Sequence, residues 1–93
     1  MESLQAIVPR ALTELLRQGP LSQGKLEVAW RAVVGDALSR VTTVRLQPGG
    51  LVEVLASDAR WNRELKRSSA MILGRLNELL GTGQVLRISI GGR

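Results

Sequence analysis

The sequence predicts one small α/β (α+β) domain whose elements follow the order α-α-β-β-α-β. Three observations carry this reading. Apolar residues recur at helical spacing in three stretches. Two alternating runs flank the turn signal Pro48-Gly49-Gly50. A third alternating run, preceded by Gly81-Thr82-Gly83, lies near the end. Three strands cannot cover themselves, so the helices must pack on one face of a mixed sheet. The 93 residues, 44% of them hydrophobic, make a single domain over residues 1–93 with one modest core.

The first helix rests on Leu4, Ile7, Val8, Ala11, Leu12, Leu15 and Leu16, spaced i, i+3, i+4, i+7. Pro9 lies inside the pattern, so the helix kinks there or begins near it. Gly19-Pro20 ends it. Ser22 is a suitable N-cap for the second helix. Leu26, Ala29, Trp30, Val33, Ala37 and Leu38 mark one face of it, and helical character persists to Ser39. Gly35 interrupts that face, either as a C-cap or where another backbone comes close.

Val41 to Leu46 alternates, with Val41, Thr43 and Arg45 opposed to Thr42, Val44 and Leu46. Leu51 to Ala56 is a more apolar strand, and the two form a hairpin. Asp58 caps a third helix that runs to about Leu80. At about 100° per residue, Trp61, Leu65, Ile72, Leu76 and Leu79 form its apolar stripe. In the last strand, Val85, Arg87 and Ser89 oppose Leu86, Ile88 and Ile90; Gly91-Gly92-Arg93 is a tail. A right-handed crossover makes this strand parallel to the second.

The formal charge is +5 and the sequence pI is near 11.4, which points to an anionic partner. The charge concentrates in Ala59-Arg60-Trp61-Asn62-Arg63-Glu64-Leu65-Lys66-Arg67, which holds four cations, one acid and one of the two aromatic residues. Arg60, Arg63 and Arg67 share the side opposite the apolar stripe. Arg60, Arg63, Lys66 and Arg67 are therefore the candidate nucleic-acid contacts. The plain alternative is a solvated helix face, with Glu64 pairing to Arg60 or Arg67 across one turn. Arg45 and Arg87 extend the candidate surface if they share the exposed sheet face, and Arg40 and Arg93 are also available. The stripe spacing assigns Trp61 to the core; the alternative is a part-exposed ring that stacks on a base or enters a partner's groove. Trp30 is read as a core residue.

No Cys and no His occur, so disulfides, redox chemistry and the usual zinc ligands are absent. The familiar nucleophile–base pairs are missing too. There is no carboxylate pair, no phosphate-binding glycine loop and no G-x-x-G clamp. The chain is read as non-enzymatic, without cofactor or metal. With no apolar run long enough to span a bilayer and no signal-peptide pattern, it is expected in the cytoplasm.

The run Trp30-Arg31-Ala32-Val33-Val34-Gly35-Asp36-Ala37-Leu38-Ser39-Arg40-Val41-Thr42 resembles the W-x-x-[IV]-V-G-x-x-[IL]-x-x-[HV]-[TS] signature of DciA-like bacterial proteins. Gly50-Leu51-Val52-Glu53-Val54, Ser57-x-x-x-Trp61-x-x-Glu64-Leu65, Ile72-Leu73-x-x-Leu76-Asn77 and Val85-x-x-Ile88 continue it, so that it covers roughly Leu12 to Ile90. The resemblance implies a KH-like fold and a bacterial DNA-replication protein. Such a protein binds the hexameric replicative helicase and assists its loading onto single-stranded DNA. An older reading of the family is RNA binding. The usual His before the Thr is Val41 here. Many members carry a disordered extension, and this chain has almost none, which weighs against full loader activity. By position, Trp30 and Gly35 match fold-setting residues, while Trp61 and Glu64 match residues beside the basic group. A second reading is a protein-interaction module that docks through Leu12 and Leu15 of the first helix. A weak homo-oligomer is left open.

Overall fold

The computed structural model describes residues 9–91. The expected contributions of Leu4, Ile7, Val8 and the tail Gly92-Arg93 lie outside them. The observed elements are α1 (Arg10–Arg17), α2 (Gln23–Arg40), β1 (Thr42–Gln47), β2 (Leu51–Ala56), α3 (Arg60–Arg67), α4 (Ser69–Leu80) and β3 (Arg87–Ile90). The order matches the expected one, with the third helix divided in two.

Pro9 starts α1. Its fixed φ suits the position before a helix, and its carbonyl accepts from Leu12 and Thr13 N–H at 3.0 and 3.2 Å. Leu16 is buried and Leu12 packs against the core, but Leu15 is 59% exposed. The Arg17 guanidinium donates to the Glu78 carbonyl, tying α1 to α4. Lys25 donates to the Gln18 and Pro20 carbonyls and so fastens the α1–α2 turn.

Ser22 caps α2, its hydroxyl accepting the Lys25 N–H at 3.3 Å. Leu26, Ala29, Trp30 and Val33 are buried. Trp30 is the core residue the sequence predicts, and its ring N–H still finds a partner. It donates to the Thr42 hydroxyl at 2.9 Å, which donates in turn to the Leu38 carbonyl at 2.8 Å. Gly35 has φ 90° and ψ 167° inside α2. A Cβ there would meet nothing within 4 Å, so its role is the backbone break and not close approach.

The sheet order is β1-β2-β3. β1 and β2 pair antiparallel, with Val44 opposite Val54 and Arg45 opposite Glu53. β3 runs parallel to β2, as the crossover rule requires, with Val52 opposite Ile88. Val44, Leu46, Val52, Val54, Ile88 and Ile90 thus face the helices. Thr43, Arg45, Gln47, Leu51, Glu53, Leu55, Arg87 and Ser89 form the other face. Gly50 closes the hairpin at φ 76°, and its carbonyl accepts from Leu86 N–H at 2.8 Å. A Cβ on Gly50 would sit 3.2 Å from the Gln84 carbonyl and 3.1 Å from Leu86, so glycine is required on both counts.

Two local expectations are corrected. The helix predicted from Asp58 to Leu80 breaks at Ser68, where φ is −95° and ψ is 3°. The Ser69 hydroxyl donates to the Lys66 carbonyl at 3.0 Å, the local competition by which serine disturbs a helix interior. Past the break, Ile72, Leu76 and Leu80 are buried, and Leu79 only half-buried. The last strand begins at Arg87 and not at Val85. Val85 is buried and Leu86 is 61% exposed, the reverse of the expected phase. The cause is the Asn77 amide. Its nitrogen donates to the Val85 carbonyl at 2.9 Å and its oxygen accepts the Val85 N–H at 2.8 Å. This clamp holds Val85 beneath α4 before the alternation of the strand takes over.

Candidate nucleic-acid interface

α3 follows β2 directly, and Asp58 starts it. The Asp58 carboxylate accepts the Arg60 N–H at 2.8 Å and pairs with the Arg60 guanidinium at 3.0 Å. The backbone N–H of Arg60 first, and its guanidinium second, hold this carboxyl below the usual carboxylate range. The expected pairing of Arg60 with Glu64 is thus replaced by Asp58. Among the described residues, Arg60 therefore spends part of its charge locally.

Leu65 anchors α3 at 1% exposure. Counting about 100° per residue away from it, Arg60, Arg63 and Arg67 fall within an arc of about 60° on the outer side. All three are exposed, as is Lys66, which lies on one flank of the arc. Glu64 lies on the other flank, beside Trp61. Trp61 is 38% exposed, which corrects the stripe assignment. It sits in the first turn, before the helix reaches the core, and lines a shallow surface cleft with Arg60 and Glu64. The Ser68 break also ends the continuous stripe that would have drawn it inward.

Arg45 and Arg87 do share the open face of the sheet, and both are exposed. They lie on opposite edge strands with β2 between them, roughly 10 Å across the sheet. Arg45 stands opposite Glu53, and Arg87 opposite Leu51. This face is therefore a thin scatter of charge, whereas α3 carries a cluster. α3 belongs to the helical layer, so the six basic candidates divide between two surfaces.

Other groupings had no sequence signal. Arg31 donates to Asp36 at 2.7 Å, and this bond chiefly lowers the Asp36 carboxyl and raises the Arg31 guanidinium. A spacing of five residues does not face across a regular helix; Gly35 brings the pair together. Gln23 reaches β1, donating to the Val44 carbonyl at 2.7 Å and accepting the Leu46 N–H at 2.8 Å. Among the described residues, no helix is long and apolar enough to cross a membrane.

Four helices and a three-stranded mixed sheet, with a cationic helix beside an exposed indole, define a small basic α+β module. Comparison with known families makes this particular. The model of "Dna[CI] antecedent, DciA" matches residues 3–90, and the chain belongs to the DciA family. The chain is also 28% identical over 72 residues to a UPF0232 protein of Mycolicibacterium smegmatis, covering 77% of this chain. It spans 37% of that relative's length.

Proposed function

We propose that this domain is a non-enzymatic factor that assists loading of the hexameric replicative helicase onto single-stranded DNA. In this reading Arg63, Lys66 and Arg67 are the principal contacts to the strand. The observation that carries it is the α3 cluster: exposed cations on one short helix, next to an indole exposed enough to meet a base. Arg60 contributes less because Asp58 holds it. Arg45 and Arg87 act as a weaker, separate site for the strand's continuation. Trp61 and Glu64 border the cluster and are offered to the strand or to the helicase.

The test is a titration of single-stranded DNA with the chain, with and without a bacterial replicative helicase. The expected result is salt-sensitive binding by the chain alone and a faster appearance of helicase on the strand when the chain is present. Salt-insensitive binding, or helicase loading unchanged by the chain, would refute the reading.

One observation favours the protein-interaction reading. Leu15 projects from α1 with 59% of its surface exposed. Leu12, by contrast, packs on the core, so its substitution would report on folding. Helicase capture that is lost with Leu15→Ser but kept with Arg63→Gln/Arg67→Gln would favour that alternative.

A further inference from the structure

The two edges of the sheet are finished differently. An unpaired edge presents backbone N–H and C=O groups to any extended chain. On β1 this edge is sealed. The Gln23 amide takes the Val44 carbonyl and the Leu46 N–H, standing in for one residue of a neighbouring strand. Trp30 occupies the hydroxyl of Thr42 at the same strand's start.

On β3 the edge is open among the described residues. Arg87 N–H donates to the Gly50 carbonyl at 3.3 Å and Gly91 N–H to the Val54 carbonyl at 2.9 Å. In a parallel ladder alternate residues bond the same neighbour, so Arg87, Ser89 and Gly91 turn toward β2. The N–H and C=O groups of Ile88 and Ile90 therefore point away from the sheet. Among the described residues nothing meets them. The strand is nonetheless held firmly, because the Ile88 and Ile90 side chains pack against the core.

Both ends of this edge carry a cation, and the nearest acid, Glu53, lies inward on β2 opposite Ser89. Arg87 is exposed at its start, opposite Leu51, with no acidic partner among the described residues. At its end Gly91 lies against Asn62 of α3, whose nitrogen is 3.5 Å from where a Gly91 Cβ would stand. Lys66, one turn further along the same side of α3, is exposed. The Asn62 side-chain oxygen is buried without a partner, an acceptor left unused at this end of the strand.

We propose that the outer edge of β3 is a strand-addition site for an extended acidic segment of a partner protein. The segment's backbone pairs with Ile88 and Ile90, which supplies affinity. Its carboxylates meet Arg87 and Lys66, which selects an acidic chain over a neutral or basic one. The proposal does not depend on DNA binding by α3, although Lys66 borders both surfaces.

The probe is a short synthetic peptide alternating valine with glutamate, beside its valine–lysine counterpart. Each is titrated into the isotope-labelled chain while amide shifts and hydrogen exchange are followed. The glutamate peptide is expected to shift and protect the Ile88 and Ile90 amides, and the lysine peptide to leave them unchanged. Arg87→Glu should weaken binding more than roughly tenfold by placing like charges together. Ile90→Pro removes an outward N–H while sparing the bonds to β2, and should abolish binding, whereas Ile90→Val retains it. If the proline variant fails to fold, the Arg87→Glu result decides. The proposal is overturned if both peptides bind alike, or if the glutamate peptide moves only α3 amides. It is equally overturned if single-stranded DNA, and not the peptide, protects Ile88 and Ile90. Concentration-dependent protection of these amides in the free chain would also overturn it, since the edge would then be paired between copies.

Discussion

Neutralising Arg63 and Arg67 together, as Arg63→Gln/Arg67→Gln, tests the α3 surface most directly. With Arg60 held by Asp58, three α3 cations remain for phosphates: Arg63, Lys66 and Arg67. Counterion release from a single strand gives a log–log salt slope of about −0.7 per neutralised phosphate, hence about −2.1 for three. Raising salt from about 50 to 200 mM should then weaken the parent chain about 18-fold. The double variant keeps one principal α3 contact, so the α3 share of the slope should fall to about −0.7 and the corresponding loss over the same range to about 2.6-fold. Fluorescence anisotropy of a labelled thymidine oligonucleotide at several salt concentrations measures both slopes. Arg60→Gln is the internal comparison and should change the slope far less than either half of the double variant. An unchanged slope in the double variant would refute the assignment. So would an Arg60→Gln effect as large as that of Arg63→Gln. Thermal melts guard against misreading, because exposed substitutions of this kind shift stability by only about 0.5 kcal/mol.

Three further outcomes are expected. Asn77→Ala should cost about 2–4 kcal/mol in urea unfolding, because it leaves the part-buried N–H and C=O of Val85 without partners; a cost under about 0.5 kcal/mol would remove the clamp from the account. Trp30→Ala should cost about 3–5 kcal/mol, whereas Trp61→Ala should cost less than about 1 kcal/mol and remove the acrylamide-quenchable part of the emission; equal losses would contradict the exposures found. The Asp58 and Asp36 carboxyls are lowered in the folded state, so the stability they add is present above the unfolded-state value of roughly 4 and is lost as pH falls through the lower folded-state values. Asp58→Asn should therefore flatten the decline in melting temperature between about pH 5 and 3, and an unaltered decline would count against the Arg60 contacts.

Much of the fold was legible because its signals are local and periodic. Ser22 and Asp58 mark helix starts, Pro48-Gly49-Gly50 marks a turn, and alternation assigns Val44, Val52 and Val54 to one face. What escaped depends on single side chains bonding to distant backbone. Asn77 resets the phase at Val85, and Gln23 seals β1, yet an amide gives no pattern that predicts its partner. Ser68 and Ser69 broke a helix whose apolar spacing ran on unbroken. That break also explains why Trp61 matched the stripe in sequence and lies at the surface in space. The α3 cluster was legible from its angular spacing alone. The separation of Arg45 and Arg87 from it needed the layer order, which charge counting does not supply.

Gly35 sets a length match between layers. Eighteen helical residues extend about 27 Å, while a six-residue strand spans roughly 20 Å, so a straight α2 would overrun the sheet it covers. In an unbroken helix Thr42 would stand about 18 Å along the axis from Trp30, yet its hydroxyl is 2.9 Å from the ring nitrogen. The positive φ at Gly35 kinks α2, and together with the turn at Val41 it brings the start of β1 back beside Trp30. The tryptophan that fills the core thereby gains an acceptor for its ring N–H, the Thr42 hydroxyl oxygen of the strand that follows.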